Sequence, residues 1–600
     1  MPLTIRGSPV GWVAILIAGL ASMGGFLFGE DTGQISGILL MSDFKERFGT
    51  ERDPVTGEPF FNSWLEGLIV SALSIGTLIG VLIGAPLADL FGRRKAMSIE
   101  TIIFTAGVLI QVTSFRAWYQ VAIGRGVTGV GVGALSAAVP LYQSETVPKE
   151  IRGALVATYQ LFITLGILIA YLINLGTFNY TTSAQWRVPV ALGIVFAAIL
   201  GVGIQFCPES PRWLVARGRH DEAHKSIATV RGAYGKSHEA AISGQKGDEA
   251  VLRAEQAEAL VREEQQGMIN AIRKEQEQGK ASWAACFSPK NRVLYRTLLG
   301  IALQAGQQLT GANYFFYYGA TIFQSVNISG PLTAQIILGA VNVACTFLGL
   351  YLLERFGRRR PLIIGAVWMA VFLFIFAGIG SGLDPQERGV GIGLIVTSCL
   401  FILGYASTWA PGIWLFVGES FPARTRAKQA ALATASNWLW NFLIAFFTTP
   451  ITRDISFNYG FVFAGCNIAN ALIAYFFVYE TSNLTLEALD DMYSDPNCRA
   501  WNSRSWVPAG FDSREGFQRA LEKDEDRASM VAGTLVEAER EKAEKEKRRG
   551  GGGGGAGVQN VGVHGSGSSS GSRTEAGSAH DHGGASANPG APLTETKEVA

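Results

Sequence analysis

Two ionisable side chains interrupt stretches of this chain that are otherwise apolar: Asp31, late in the first such stretch, and Arg125, in the fourth. Charge at membrane depth is expensive, so such residues default to a functional assignment. If the two meet, the guanidinium favours an ionised carboxyl while burial favours the protonated form. The result is an acid able to load and release a proton, and the competing reading is a static ion pair that fixes two helices. Glu30, next to Asp31, is either idle in an aqueous vestibule or a second acid facing inward, and the vestibule is the reading adopted. His220, His224, His238, His564, His580 and His582 all fall outside the apolar stretches, so no histidine carries a proton within them.

A second group of residues is polar and neutral. Gln307-Gln308-Leu-Thr310-Gly-Ala-Asn313 breaks into an apolar stretch, with Gln304, Gln307, Gln308 and Gly311 at the three/four spacing of one helix face. Asn437 and Asn441 share a face four residues apart with Trp438 beside them, and Trp414 follows Ala410-Pro411-Gly412, a predicted helix break. Amides offer donors and acceptors without the cost of burying an ion, so they match a polyol's hydroxyls, while an indole covers the apolar face of a sugar ring. The bland alternative is that amides join membrane helices to one another. A run as dense as Gln307 to Asn313 weakens it.

The elements that must position these groups are apolar and long. Hydrophobic residues make up 48% and charged residues 16% of the 600, and mean hydropathy is +0.23, outside the soluble norm. About twelve runs approach the roughly 20 residues a helix needs to cross a bilayer. They lie at Val10–Phe28, Trp64–Leu87, Ala96–Ser114, Trp118–Leu141, Ala154–Leu175 and Val188–Cys207, then Leu298–Phe323, Leu332–Leu353, Pro361–Ile379, Val390–Val417, Ala427–Thr449 and Phe457–Tyr479. The expected fold is an all-α membrane protein of twelve helices in two six-helix bundles, residues 10–207 and 297–479. A charged helical linker (208–296) lies between them, residues 1–9 precede them, and a polar tail (480–600) follows, with a helical candidate at Phe517–Arg549 and then glycine- and serine-rich sequence with nothing to bury.

Two patterns recur about 270 residues apart, the mark of related halves. Asp89-Leu-Phe-Gly-Arg93-Arg94 returns as Glu354-Arg-Phe-Gly-Arg358-Arg359, and Glu145-Thr-Val-Pro-Lys-Glu-Ile-Arg152 as Glu419-Ser-Phe-Pro-Ala-Arg-Thr-Arg426. These basic loops alternate along the chain, which predicts that they and both termini are cytoplasmic. Asn179-Tyr-Thr181 and Asn327-Ile-Ser329 then fall outside as glycosylation acceptors, although Asn483-Leu-Thr485 matches equally and falls inside. No cysteine falls in an outer loop, so no disulfide framework is expected. Gly124-Arg-Gly-Val-Thr-Gly129 copies the dinucleotide fingerprint without its preceding strand, and Gly129 and Gly133 suit close helix packing instead. Nothing points to a cofactor, a metal, a nucleic acid or enzymatic chemistry.

In combination, Gly25-Phe-Leu-Phe-Gly29, Asp89 to Arg94, Gly124-Arg125-Gly126, Pro208-Glu209-Ser210-Pro211-Arg212-Trp213-Leu214, Gln307 to Asn313, Glu354 to Arg359 and Glu419 to Arg426 resemble the sugar porter family of the major facilitator superfamily, most of all its fungal hexose transporters. The resemblance implies a monosaccharide held by Gln160, Gln307, Gln308, Asn313, Asn342, Trp414, Asn437 and Asn441 between aromatic walls at Phe28 and Trp438. It also implies a proton on Asp31 partnered by Arg125. Gating would rest on interbundle salt bridges among Asp89, Arg93, Arg94, Glu145, Arg152, Glu209, Arg212, Glu354, Arg358, Glu419 and Arg426, closed when the protein opens outward and broken when it opens inward. Two departures stand out: Glu30 where the family has an aromatic, and Tyr479-Glu-Thr-Ser-Asn in place of Pro-Glu-Thr-Lys-Gly, which puts the docking of that segment in question. The expectation is a plasma-membrane hexose transporter in contact with lipid, working by alternating access with a proton, the alternatives being a facilitative uniporter or a sugar sensor signalling through its tail.

Overall fold

The computed structural model describes residues 3–520 except 6–7, 11, 55–56, 149–150, 233–247, 278–281, 325–329, 385–386 and 423. The Asn327 acceptor, most of the Phe517–Arg549 candidate and the glycine-rich tail therefore lie outside the described residues.

Helix α1 spans Trp12–Ile38, running well past Phe28, where the apolar run stops. It continues because Gly29, Gly33 and Gly37 form a stripe on which another helix, α6, rests: an added Cβ would come within 2.0 Å of the Ile163 carbonyl, 2.9 Å of that of Ile167 and 2.4 Å of the Asn174 amide. Small residues at this spacing replace the hydrophobic drive that lipid cannot supply. Short α2 (Ser42–Phe48) tucks Phe44 and Phe48 against Trp186. Helix α3 (Ser63–Phe91) starts where the Asn62 side chain accepts from Trp64 N at 3.0 Å, and α4 spans Arg93–Val112. Helix α5 (Trp118–Thr146) interlocks with α3: added Cβ atoms at Gly129 and Gly133 would lie 2.1 and 2.2 Å from the carbonyl oxygens of Leu73 and Thr77. The fingerprint-like Gly124 to Gly129 is thus the middle of a packed helix, as expected. Helices α6 (Arg152–Thr177) and α7 (Ala184–Gly203) complete the first half.

Between the halves, α8 (Pro211–Ala216), α9 (His220–Arg231) and α10 (Asp248–Glu277) form a polar helical segment. It is held by a small cluster of Leu214, Val215, Ala223 and Ile272 and by an Arg231–Glu264 pair at 3.0 Å.

The second half repeats the plan with two breaks. Helix α11 (Val293–Gln308) stops short of α12 (Ala312–Gln324), and α13 (Pro331–Phe356) and α14 (Arg359–Gly382) follow. Helix α15 (Arg388–Gly404) passes through a π-helical turn, Tyr405–Trp409, into α16 (Ala410–Ser420); the irregularity precedes Ala410-Pro411-Gly412, where a break was expected and the chain is helical. Helices α17 (Arg426–Ile455) and α18 (Tyr459–Phe477) close the half.

Among the described residues, 10 helical stretches are long and apolar enough to cross a membrane. Their outer faces carry exposed Leu16, Leu82, Ile102, Ile123 and Ile364, while Ser22, Gln143, Asn174 and Asn467 are buried. An apolar outer surface around polar groups buried inside suits lipid as solvent. The protein is therefore a multi-pass membrane protein.

After Glu480 the chain folds back on itself. Helix α19 (Leu486–Ser494) packs Leu489, Met492 and Tyr493 on Tyr479, and Arg514 ties the segment by donating to the carbonyls of Trp506 (2.9 Å), Ser482 (2.9 Å) and Glu480 (3.2 Å). The altered motif at Tyr479 does not prevent docking: Glu480 is 2% exposed.

Candidate functional site

The polar centre is built by the break between α11 and α12. Gly311 has φ of +92°, and a Cβ there would stand 2.8 Å from the Phe463 ring, so glycine alone suits the position. Asn467 and Asn470 on α18 donate to the Thr310 and Gly306 carbonyls, both at 2.9 Å, and so satisfy backbone groups in the broken region. These two amides, absent from the sequence reading, join helices.

With the helix interrupted, five of the expected amides converge. Gln308 Nε2 donates to Asn437 Oδ1 at 2.9 Å, and Gln308 Oε1 accepts from Asn441 Nδ2 at 3.2 Å and from Asn313. Asn437 Nδ2 reaches Gln304 at 2.6 Å and Gln307 at 2.8 Å. Gln307 is differently employed, its Nε2 donating to the Trp409 and Ala410 carbonyls at 3.0 and 3.1 Å beside the π turn. It braces the site, which leaves Gln308, Asn313 and Asn441 the freest to trade partners. Phe28 meets Trp438 edge to face at 5.2 Å, so one aromatic wall joins the two halves. Gln160, Asn342 and Trp414 make no side-chain hydrogen bond among the described residues; Gln160 is half-buried, Asn342 is buried and Trp414 is 39% exposed.

Asp31 and Arg125 do meet. Their closest approach is 3.5 Å, both are buried, and Gln34 Nε2 donates to the other Asp31 oxygen at 2.8 Å. Tyr317 lies within electrostatic range of both charges and donates to Asn441 Oδ1 at 3.0 Å, linking the ionic pair to the amide cluster.

Glu30 corrects the sequence reading: it does not face a vestibule. It is 1% exposed, and its carboxyl points toward Gly193 of α7 and Phe104 of α4. Glu100 on α4, which sequence reasoning missed, is equally buried. Its signal was an acidic residue inside the Ala96–Ser114 run.

At the end of the molecule that carries the basic loops, each half builds the same network. Arg93 donates to Glu145 at 2.8 and 3.0 Å and pairs with Asp89 at 2.9 Å, while Glu209 accepts from the backbone N–H of Arg93 (2.9 Å) and Arg94 (3.2 Å). In the second half Arg358 donates to Glu419 at 2.7 and 3.2 Å, and Glu480 accepts from the N–H of Arg358 (2.8 Å) and Arg359 (3.2 Å). Burial opposes the charge on Arg358, but Glu419, Glu480 and Glu354 outweigh it and hold the guanidinium more firmly protonated than usual. Glu480 is therefore the second-half counterpart of Glu209, a correspondence the sequence repeat did not include. The pairs lie within each half, not between halves as expected. Arg94 donates to the Cys207 carbonyl and Arg426 to that of Phe421, Arg212 and Glu354 are exposed, and the Arg152 side chain lies outside the described set.

Contact between the halves is concentrated at the opposite end. Ser36 Oγ accepts from Gln335 Nε2 at 2.6 Å and from the Ala320 N–H at 3.3 Å, and Ser74 donates to Asn441 Oδ1 at 2.6 Å. Gly67 lets α3 approach the Phe446 backbone, where a Cβ would come within 2.3 Å of the carbonyl. The Arg–Glu pairs seen among the described residues at the basic end thus lie within each half, while the halves touch at the other end.

Comparison with known proteins adds the family. A family model described as sugar (and other) transporter matches residues 17–493. The chain is 43% identical to the high-affinity fructose transporter ght6 of Schizosaccharomyces pombe, over 82% of this chain and 89% of the relative. It is 41% identical to the high-affinity glucose transporter ght2 of the same yeast (86% and 93% covered) and 41% identical to the high-affinity hexose transporter HXT6 of Saccharomyces cerevisiae (83% and 85%). Among solved structures, the proton:xylose symporter XylE of E. coli superposes with a TM-score of 0.64 at 24% identity, covering 80% of this chain and 99% of that one. That likeness speaks to the fold alone, the major facilitator fold.

Proposed function

This chain belongs to the sugar (and other) transporter family, and on that premise we propose that it carries a hexose across the plasma membrane by alternating access, together with a proton. The broken pair α11/α12 counts as one crossing and the stretch Arg426–Phe477 as two, which turns ten qualifying stretches into twelve. The basic loops make their end cytoplasmic, with both termini on that side. The domain boundaries at 10–207, 208–296, 297–479 and 480–600 follow from the same reading.

The observation that carries the proposal is the neutral amide cluster of Gln308, Asn313, Asn437 and Asn441 at a helix break, walled by Phe28 and Trp438. Each amide holds hydrogen bonds that a sugar hydroxyl can replace one for one, so binding need not leave a buried group unpaired. Asn441 sits in two networks at once, accepting from Ser74 across the halves and donating to Gln308. A hydroxyl that takes over Asn441 weakens the outer closure at the same stroke, which couples occupancy to opening. Gln160, Gln307, Asn342 and Trp414 complete the proposed pocket. At the cytoplasmic end the Arg93–Glu145 and Arg358–Glu419 networks hold each half as a unit that can dock on the other.

Proton coupling rests on Asp31 and Arg125, linked to the sugar site through Tyr317 and Asn441. Facilitative uniport is the second reading, favoured by the Gln34 hydrogen bond that leaves Asp31 well held in a fixed pair. Uptake of labelled glucose, fructose, galactose and xylose in cells lacking other hexose transporters, with the pH of the medium recorded, tests both. Saturable hexose uptake with alkalinisation is expected. Uptake at background for every sugar overturns the transport reading, and uptake without alkalinisation leaves uniport.

A further inference from the structure

Both oxygens of Glu30 are buried without a hydrogen-bond partner among the described residues, and so are Nε and Nη2 of Arg125. Glu30 lies within electrostatic range of Asp31 and Arg125. The other helices packed around it bring little charge. Helix α6 meets its backbone with Gly166, α7 offers Gly193, whose added Cβ would lie 3.4 Å from Glu30 Oε2, and α4 offers Phe104. Glu100, on α4, is buried with no hydrogen-bond partner among the described residues, and Arg187, on α7, is engaged by Ser183 and the Ser114 carbonyl. The titratable hydroxyls of Tyr159 and Tyr171 belong to α6, the former beside Gly25 and the latter donating to Phe316. A cavity of about 10 Å³ adjoins Arg125, Gln111 and Trp186, close to the space one water needs.

Two carboxylates and one guanidinium, all buried, carry an excess negative charge unless one acid is protonated, and an unpaired buried ion costs several kcal/mol. We propose that Glu30 is a second proton-binding carboxyl of the Asp31–Arg125 site, so that the two acids share one resident proton and one arginine. With the resident proton on Glu30, Arg125 pairs with Asp31, as the structure shows. A proton arriving at Asp31 forms an O–H bond there and frees the guanidinium. When the inner side opens to water, Glu30 gives its proton to that water, becomes the carboxylate and takes Arg125 as partner, so one proton has entered at Asp31, one has left from Glu30, and net charge returns to zero. Transfer of the proton from Asp31 to Glu30 restores the starting state. The assignment deepens the symport reading and rests on it for the direction of the cycle. The rival is that Glu30 is a permanently neutral filler beside Phe104.

Purified full-length protein in proteoliposomes separates these. Infrared difference spectra across a pH titration should show a carboxylic-acid C=O band that disappears in Glu30→Gln, persists in Glu100→Gln, and still titrates in Asp31→Asn. Glu30→Gln, an isostere of the neutral acid, leaves no carboxylate to take Arg125 once Asp31 is protonated, so protonation of Asp31 becomes harder and the pH midpoint of glucose and fructose counterflow should move by about one unit toward acid. A titrating band untouched by Glu30→Gln, with a counterflow profile superimposable on wild type, overturns the proposal. Should Glu30→Gln fail to assemble, the wild-type and Asp31→Asn spectra decide alone: no titrating acid left in Asp31→Asn overturns it. If wild type shows no sugar-driven alkalinisation, symport fails while the infrared titration still reports on Glu30.

Discussion

Replacing Ser36 by alanine should tilt the protein toward its outward-open state. Its hydroxyl accepts from Gln335 Nε2 at 2.6 Å and from the Ala320 N–H at 3.3 Å, both on the opposite half and both buried. A neutral hydrogen bond contributes about 0.5–1.5 kcal/mol net, so the outer-closed state loses about 1–3 kcal/mol. The upper part of that range applies, since Gln335 Oε1 is already unpartnered and the whole amide is then stranded in the closed state only. At about 1.4 kcal/mol per tenfold, a loss of about 2–3 kcal/mol lowers the inward-to-outward ratio by about 30- to 150-fold. Spin labels at Trp64 on α3 and Ile455 on α17, in a background with the six free cysteines replaced, would report this as growth of a longer-distance population. A distance distribution identical to that of the parent, in a folded variant, refutes the claim that this contact holds the outer side shut.

Three further outcomes follow from the geometry. Gln308→Ala removes the partner shared by Asn313, Asn437 and Asn441, and hexose affinity measured by equilibrium binding should weaken about tenfold, roughly 1.4 kcal/mol; unchanged affinity moves the pocket elsewhere. Glu480→Ala orphans two backbone N–H groups at the start of α14 and should cost about 1–3 kcal/mol, read as a lower melting temperature in detergent, with the mirrored Glu209→Ala losing a similar amount. Asp43, on α2 outside the spans, feels burial pushing its carboxyl up, but hydrogen bonds from Arg47 and Trp186 and the charges of Arg47 and Arg187 outweigh it and hold it below the usual range. Because the folded value is depressed, the stabilisation is complete above the unfolded value of about 3.9 and is lost as pH falls through the folded one. Trp186 fluorescence should therefore show an acid transition that Asp43→Asn abolishes.

The helices, the two halves and the amide cluster were legible because each has a local signal: apolar length, a repeated loop motif, and glutamines crowding a glycine. Glu30 was misplaced because a helix's own sequence cannot show what lies opposite each face; Gly193, across the bundle and about 160 residues later, is what makes room for that carboxyl. Glu100 was passed over since one acid scarcely lowers the hydropathy of a long run. Docking of the segment after Tyr479 survived an altered motif because the working part is a carboxylate accepting two N–H groups, which needs neither the preceding proline nor the following lysine. The direction of the Arg–Glu pairs depends on conformation, a property that residue spacing does not encode.

Contacts within the first half and contacts between halves are differently balanced, and the difference suits the alternating access proposed above. Inside the first half, helices meet backbone to backbone through Gly29, Gly33, Gly76, Gly80, Gly129 and Gly133, where any side chain would collide. Such packing leaves little room for sliding, which suits a half that moves as a body in the proposed cycle. Between halves the closure also uses hydroxyls and amides, Ser36 with Gln335 and Ser74 with Asn441, each worth about 1 kcal/mol and each able to find another partner. A few such bonds set an equilibrium of a few kcal/mol, small enough for one sugar or one proton to reverse. Asn441, which belongs both to the proposed pocket and to the closure, is where a ligand can act on that balance most directly.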